Sequence, residues 1–280
     1  MNESRYYNIV KKIGIVILNY LNYKDTIECI ESIYDMQYNI EGIVVVDNHS
    51  YNESYNILKN RFRQYKNITI IRTKKNYGFA KGNNVGIRVV KKNYNVDFVF
   101  VVNNDVVFRR RDYFEQLMKH YRAGIGVMGT QIYLKGNRIQ NIYSGYVDLT
   151  TNIILYISDF LECMKLIRLE SLIPSLKMGE RKKILHGCAL LFTPEFFQYY
   201  QGFYSKTFLY NEETILYLMC ERYNLKQIYV EDTYLFHKED QSSKESFKNE
   251  NAIMSKYRLQ GRKYVIWWII KNKINRLFYQ

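Results

Sequence analysis

The chain has 280 residues, of which 47% are apolar, enough for a substantial core in one α/β domain with appendages. Lysine and arginine exceed acidic residues by 41 to 27, and the net charge of +14 implies an anionic partner: nucleic acid, nucleotide phosphates or anionic lipid. The four cysteines are scattered without a C-x-x-C pair, which argues against a zinc site or a disulfide framework and favours a reduced, cytosolic compartment.

The first half of the chain alternates short β-branched runs with stretches of helical period, which is typical of a mostly parallel sheet covered by helices. The first run is short and lacks a cleavage site, so we interpret it as a strand and not as a signal peptide. Asp25 stands where it would cap the first crossover helix. The strands predicted in this half are 13–18, 43–46, 68–71 and 98–102.

A glycine-rich stretch over 76–86 runs into an apolar helix and resembles a loop that exposes its backbone to phosphates. It matches neither G-x-G-x-x-G nor G-x-x-x-x-G-K-[ST]. Further on, residues 134–184 show no clean period, and we expect an irregular segment that is either mobile or functional. The other elements predicted after residue 105 are a helix over 112–123, a strand over 126–133, a buried strand over 185–192, a short helix that begins at Pro194, a helix from Glu212 to about 223, a short strand over 234–236 that ends at His237, and a basic helix over about 245–280.

Within the last predicted helix, residues 264–270 are apolar and aromatic and are flanked by lysine and arginine. This run is too short to span a bilayer, but its composition suits a helix that lies in the lipid interface. The alternative is that the same face packs on the domain as ordinary core. The sequence leaves both interpretations open.

Polar residues follow three of the predicted strands, where the ligands of a parallel sheet bind. An aspartate at the end of a buried strand is costly unless a cation or a hydrogen-bond donor meets it, although Asn and Asp also favour plain turns. With the glycine-rich stretch, these residues describe a nucleotide pocket in which Asp47 bonds a base or ribose and Asp105 holds a divalent cation against phosphates. The strand-end residues are Asn19, Tyr20, Asp47, Asn103, Asn104 and Asp105.

The order and spacing of these motifs over about 13–240 resemble the family 2 glycosyltransferases of the GT-A fold, in the bacterial, rhamnosyltransferase-like branch that builds surface polysaccharides. The resemblance implies a mainly parallel α/β sheet flanked by helices at 1–240, with a nucleotide-binding half at 1–110 and an acceptor half at 111–240. A basic amphipathic helical extension follows at 241–280. The segments that carry the resemblance are 15–20, 44–48, 76–86, 103–105, 202–203, 210–213 and His237.

The resemblance also implies roles for individual residues. Asp105 is expected to be the aspartate of a shortened D-x-D motif that binds Mn²⁺ or Mg²⁺, and His237 to lie near the metal or the diphosphate. Asp47 is expected to contact the nucleobase. The set that the resemblance assigns to the nucleotide sugar is Asn19, Tyr20, Asp47, Asn76, Gly78, Phe79, Lys81, Asn84, Asn103 and Asn104.

An acceptor hydroxyl needs a carboxylate to take its proton. Glu213 matches the second acid of the family's Glu-Asp pair and is our candidate for this base, with Glu212 beside it. The alternative is that both acids only favour the start of a helix. Where the family has a further Asp and a later Arg, this chain has Ile215 and Met219, which leaves open a different acceptor mode or a non-catalytic partner subunit.

The function expected from the resemblance is metal-dependent, inverting transfer of a hexose or rhamnose from a nucleoside-diphosphate sugar to a saccharide or lipid-linked saccharide in capsule or cell-surface polysaccharide synthesis. The protein is expected in the cytoplasm, in peripheral contact with the inner face of the membrane. No nucleic-acid partner is expected, because the basic residues are not interleaved with aromatic residues on one strand face. The alternatives are a sugar nucleotidyltransferase, which would need a glycine-rich, arginine-bearing loop after the first strand, and a non-catalytic basic binding subunit.

Overall fold

The computed structural model of the chain describes residues 11–36, 38–140, 143–164, 178–238 and 251–278. These residues form a mixed α/β fold around one large sheet. The strands are β1 (Ile13–Asn19), β2 (Ile40–Asp47), β3 (Ile68–Arg72), β4 (Phe98–Asn103), β5 (Val106–Val107), β6 (Ile125–Tyr133), β7 (Tyr143–Tyr146), β8 (Arg181–Ile184), β9 (Ala189–Phe192) and β10 (Lys226–His237). The helices are α1 (Tyr23–Tyr34), α2 (Ser54–Arg61), α3 (Gly78–Asn93), α4 (Tyr113–Lys119), α5 (Leu149–Cys163), α6 (Pro194–Phe197), α7 (Glu212–Arg222) and α8 (Asn251–Phe278).

The large sheet has the strand order β3-β2-β1-β4-β9-β6-β10-β5, and β7 pairs separately with β8. Strands β1 to β4 are mutually parallel, β9 lies antiparallel between β4 and β6, and β10 runs parallel to β6. The predicted parallel sheet of the first half is confirmed. Because β1, β2, β4, β6 and β10 point the same way, their carboxyl ends meet at one edge.

Two apolar cores lie on opposite faces of the sheet, because alternate side chains of each strand point to opposite faces. One core joins Ile15, Ile17 and Phe100 to α1, α2 and α4. The other joins Val16 and Val44 to α3, α6, α7 and α8.

The glycine-rich stretch was expected to form a loop, but it is helical from Gly78 onward. Its glycines let α3 lie close to the sheet, since a Cβ at Gly86 would come 2.3 Å from Val16 and a Cβ at Gly82 would come 2.7 Å from Leu18. The glycines at 82 and 86 therefore serve helix–sheet packing.

The expectation of an irregular segment over 134–184 was wrong, because residues Leu149–Cys163 form α5. Apolar periodicity did not reveal this helix because its buried positions include the polar residues Asn152, Ser158 and Asp159, while Ile153 and Ile157 are exposed. The polar face of α5 packs on α8. The remaining residues of the segment that lie in 165–177 are outside the described part of the chain.

Four smaller expectations also need correction. Asn22, not Asp25, caps α1, and its side chain accepts from the backbone N–H of Asp25. The strand predicted at 185–192 begins only at Ala189, because residues 185–188 turn ahead of it. Strand β10 is 12 residues long, and a shift in its pairing with β6 between Val230 and Tyr234 hides its alternation. Helix α4 is shorter than the 112–123 predicted.

Helix α8 divides its apolar residues between two faces. Val265, Trp268 and Ile269 are buried in the core beside α7, and these residues confirm the core-packing interpretation for the inner face. The outer face carries Trp267, Ile270, Ile274 and Leu277 in partial or full contact with solvent. Among the described residues, no helix is both long and apolar enough to cross a bilayer.

Charged residues join α5 to α8. Arg262 Nε lies 3.5 Å from Asp159 Oδ2, and Arg258 reaches both Asp159 and Glu162. The Asp159 side chain is 12% exposed, so its charge depends on the two arginines for compensation.

We predict that Asp159→Ala lowers the free energy of unfolding by roughly 2 kcal/mol, because it leaves two partly buried guanidinium groups without their shared partner. Urea denaturation followed by circular dichroism measures this change. The control is Glu180→Ala, which removes an exposed partner of Lys182 and should change the free energy by less than about 0.5 kcal/mol. Equal effects of the two substitutions would contradict the prediction.

Candidate active site

Asp105 and His237 meet at the carboxyl edge of the sheet. Strand β5 pairs antiparallel with the end of β10, with Val106 opposite His237, and the Lys238 backbone N–H donates to the Asp105 carbonyl at 3.0 Å. His237 Nε2 lies 3.3 Å from Asp105 Oδ1, and both side chains are about one-tenth exposed. The sheet pairing thus places a carboxylate and an imidazole in contact.

A second imidazole, that of His186, lies beside this pair, with its ring centroid 5.7 Å from that of His237. Its Nδ1 accepts from the Cys188 backbone N–H at 3.1 Å, so the hydrogen of the neutral ring is on Nε2. Burial lowers the pKa of His186 to about 4, and the charge of His237 acts in the same direction. His186 is therefore neutral at physiological pH.

Sequence reasoning missed His186, because it was interpreted as part of a buried apolar strand. The available signal was the pair His186-Gly187 inside an apolar run, since a polar residue next to a glycine marks a break in a strand.

Glu212 and Glu213 are brought to the same edge by the first turn of α7. The turn before this helix is unusual, because Tyr210 and Asn211 have φ values of 73° and 66°. Left-handed backbone in a tyrosine is uncommon and indicates a conformation held by its surroundings.

Glu213 lies against the turn that contains His186. Its carboxylate accepts from the Gly187 backbone N–H, and a Cβ at Gly187 would come 2.6 Å from Glu213 Oε1. The same turn bonds the end of β4, since the Asn103 N–H donates to the Cys188 carbonyl at 2.8 Å. The turn over 186–188 therefore joins the candidate base to the Asp105 side of the site.

Burial raises the pKa of both glutamates. Glu212 is 5% exposed and receives a hydrogen bond from Thr207, while its Oε1 has no partner among the described residues. The negative charge of Glu213 raises the pKa of Glu212 further. Proton affinity above that of an ordinary glutamate suits a group that must accept a proton.

Asp47 lies fully buried at the end of β2. Asn19 Nδ2 donates to its Oδ2 at 2.9 Å, the Ser50 N–H donates to its Oδ1 at 3.0 Å, and Arg72 Nε lies 3.5 Å from Oδ1. Asn19 is fixed in turn by a hydrogen bond from Thr26 at 2.8 Å. Asn19 and Asp47, which were predicted at the ends of neighbouring strands, therefore lie in one polar network.

The residues before α3 are fixed against the turn that leads to α7. Asn76 Oδ1 accepts from Asn48 and from the Gly78 N–H, both at 2.9 Å. Gly78 has φ 74°, and the Phe79 N–H donates to the Phe208 carbonyl at 2.8 Å. Lys81 is exposed with its Nζ 4.6 Å from the centroid of the Tyr77 ring.

Two further side chains that were predicted to bind the donor, those of Asn84 and Asn104, are also committed to internal bonds. Asn84 bonds both the N–H and the carbonyl of Phe203, at 2.8 and 2.7 Å. Asn104 donates to the Asn22 carbonyl and to Thr26. Tyr20 and Asn103 are half-buried at the sheet edge.

The Asp105–His237 pair fits a divalent cation, with His237 Nδ1 unpartnered within the described part of the chain. Those residues contain no cluster of three or more His, Cys, Asp or Glu side chains that could hold an ion without substrate. Mg²⁺ is commonly held by one or two carboxylates together with substrate phosphates, and Mn²⁺ accepts carboxylate and imidazole ligands. The pair fits an ion whose shell a bound diphosphate completes.

Comparison with known proteins places the chain in a family. Residues 14–178 match the family model described as Glycosyl transferase family 2. Over 120 residues, the chain is 28% identical to the low-salt glycan biosynthesis hexosyltransferase Agl10 of Haloferax volcanii. This match covers 43% of the chain and 36% of that relative, so the chain spans little more than a third of the relative's length.

Solved structures share the fold at low identity. The mannosyltransferase PcManGT of Pyrobaculum calidifontis, solved with GDP-Man and Mn²⁺, has a TM-score of 0.56 at 10% identity over 96% of this chain and 75% of that one. Residues 1–349 of S. aureus TarS, in complex with UDP-GlcNAc, give 0.55 at 13% identity over 94% and 72% of the two chains. GalNAc-T7 with UDP, GalNAc and Mn²⁺ gives 0.60 at 12% identity over 84% and 45%.

These structures confirm the predicted GT-A-type α/β fold, in which a mainly parallel sheet carries the polar residues of the site at its carboxyl edge. The family model covers more than half of the chain and includes three of the strand ends that form the site, those of β1, β2 and β4. The chain therefore belongs to glycosyl transferase family 2.

Proposed function

We propose that the protein transfers a hexose from a nucleoside-diphosphate sugar to a hydroxyl group of a saccharide acceptor, with inversion at the anomeric carbon. The observation that carries this proposal is the placement of the Asp105–His237 pair and of Glu213 around the single turn 186–188. A cation site and a base on the two sides of one short turn are the groups that a single displacement needs.

The network around Asp47 supports a nucleoside site at the ends of β1 and β2. Its carboxylate lies beside Arg72, and Asn19 fixes its position. On this proposal, the base or ribose lies over this network and the diphosphate lies over Asp105 and His237. A divalent cation held by this pair would neutralise the charge that develops on the leaving diphosphate.

Glu213 is proposed as the base. The acceptor oxygen bonds to the anomeric carbon while the bond from that carbon to the diphosphate oxygen breaks, and the hydroxyl proton passes to the Glu213 carboxylate. The nucleoside diphosphate leaves with the electron pair. One displacement without a covalent enzyme intermediate gives inversion.

Ile215 and Met219, the two departures from the family pattern, leave the proposed base and the proposed cation site in place. Both residues lie on the buried face of α7, in the core, whereas Glu212 and Glu213 stand at the start of that helix. This placement supports catalysis over the alternative of a non-catalytic partner subunit.

Transfer of a hexose is favoured because the curated relative is named a glycan biosynthesis hexosyltransferase. A lipid-linked saccharide of a capsule or other surface polysaccharide fits as acceptor if the enzyme lies on the inner face of the cell membrane. The outer face of α8 supports such contact, because Trp267, Ile270 and Ile274 are exposed on a helix that carries lysines at 263, 271 and 273.

Asp105→Ala is expected to lower Mn²⁺-dependent turnover by at least about 100-fold, because the charge on the leaving group loses its stabilisation. The measurement is release of nucleoside diphosphate from a panel of uridine, thymidine and guanosine diphosphate sugars, with and without Mn²⁺. Asp97→Ala, at a remote and exposed aspartate, is the control and should retain turnover. Full turnover by the Asp105 variant would refute the assignment of the cation site to Asp105.

Glu213→Gln is expected to lower kcat by about 100-fold or more with little change in donor affinity, because the amide cannot take the proton. In the wild type, the raised pKa of Glu213 means that the active carboxylate forms only at a higher pH than for an ordinary glutamate. The apparent pKa of the acidic limb in the pH profile of kcat should therefore lie above the normal glutamate range. An unchanged rate in the variant would move the base to another residue.

Membrane contact is tested with a pair of double variants. Ile270→Ser with Ile274→Ser on α8 should weaken binding to vesicles of phosphatidylcholine and phosphatidylglycerol by about tenfold or more, because both side chains are about half exposed beside lysines. Ile153→Ser with Ile157→Ser on α5 removes equally exposed side chains from a helix without lysine or arginine. Equal loss of binding in a sedimentation assay would contradict the assignment to α8.

A further inference from the structure

The inner face of α8 reaches the turn that orients the acidic pair. A Cβ at the buried residue Gly261 would come 2.6 Å from the Tyr210 carbonyl oxygen and 2.7 Å from Nδ2 of Asn211. One turn earlier in the same helix, the Arg258 carbonyl accepts from Asn211 Nδ2 at 3.4 Å. Helix α8 therefore contacts both residues of this turn that have left-handed backbone, Tyr210 and Asn211.

The first residue of this turn is held from two sides. The ring of Phe208 stacks on that of Tyr257 of α8, with centroids 4.5 Å apart and planes at 19°. Its carbonyl accepts from the Phe79 N–H, and a Cβ at Gly78 would come 2.2 Å from that oxygen. The turn is thus clamped between the start of α3 and the middle of α8.

This clamp determines where α7 begins. The Asn211 carbonyl accepts from the Ile215 N–H at 3.0 Å, so Asn211 is the residue from which the helix starts. A left-handed tyrosine followed by a left-handed asparagine persists only where neighbours fix it. If α8 moved away, the first residues of α7, including Glu213, would lose the support that directs them toward Gly187.

We propose that α8 is a positioning element for the reaction: through Gly261 it holds the turn over 208–211 and thereby sets the place of the Glu213 carboxylate. This inference rests on the proposed function, because it requires Glu213 to act as the base. It gives the C-terminal helix a role in turnover that is separate from membrane contact, since Gly261 lies on the buried face of α8 and Ile270 and Ile274 lie on the exposed face.

The test compares Gly261→Ala with Gln260→Ala, the neighbouring and exposed position of α8. The added methyl group at 261 meets the Tyr210 carbonyl, so we expect kcat to fall about 10- to 100-fold. Affinity for nucleoside diphosphate and Mn²⁺, measured by calorimetry, should stay within about twofold, because the ends of β1, β2, β4 and β10 carry that site. Gln260→Ala should change neither quantity.

A merely structural role predicts a different result. The added methyl group lowers thermal stability through its clash with the Tyr210 carbonyl in either case, but a contact without consequence for the base would leave kcat of the folded variant unchanged. Asn211→Gly provides a second variant, because glycine tolerates the left-handed backbone but loses the side chain that bonds α8. It should lower kcat in the same way even if Gly261→Ala folds poorly.

A double-mutant cycle separates this inference from the proposed function. If Gly261 acts through Glu213, Gly261→Ala should cause no further loss of kcat in a Glu213→Gln background. Full additivity, or a Gly261→Ala variant as active as Gln260→Ala while Glu213→Gln is impaired, would overturn the role of α8 and leave the proposed function intact. If Glu213→Gln leaves turnover at the wild-type level, the base lies elsewhere, and both the role of α8 and the assignment of Glu213 are overturned.

Discussion

Burial of several carboxylates at one edge of the sheet is the constraint on which the site depends. Each carboxylate that loses water must gain a cation or hydrogen-bond donors. Asp47 gains Asn19, Ser50 and Arg72, and Asp105 gains His237. Glu213 gains a backbone N–H but no cation in the part of the chain that the structure describes. Burial raises the pKa of Glu213, and a raised pKa is what a general base needs.

Three glycines from different parts of the chain surround the segment that leads to Glu213. Gly78 of α3 lies against Phe208, Gly261 of α8 lies against Tyr210, and Gly187 lies against the Glu213 carboxylate. A side chain at any of these positions would occupy space that the segment already fills. The lack of a Cβ therefore allows three elements to approach one strained turn closely, and their contacts hold it in place.

The positively charged residues of α8 fall into two groups. Arg258 and Arg262 point toward α5, where they compensate Asp159 and Glu162 in a polar helix–helix interface. Lys263 and Lys273 remain exposed on α8. The inner cations thus join the C-terminal helix to the domain, while the outer ones leave a basic surface next to apolar side chains. On our proposals, the same helix supports the turn over 208–211 and presents a surface to lipid.

The sequence by itself determined the parallel strands of the first half, the polar groups at their ends and the family. These features follow from local patterns, namely β-branched runs, turn-forming residues and motif spacing. It also placed Glu212 and Glu213 at the start of a helix, which the structure confirms. Residue roles in binding and catalysis stay predictions.

Only the tertiary structure decided which of these groups meet. Asp105 and His237 are far apart in the chain and become neighbours through an antiparallel pairing at the sheet edge. His186 joins them because residues 185–188 turn where an apolar run predicted a strand. Helix α5 was hidden because its buried face is polar, and such a face has no apolar period to detect. The contact of Gly261 with the turn over 208–211 likewise depends on close backbone approach between distant elements, which no local pattern encodes.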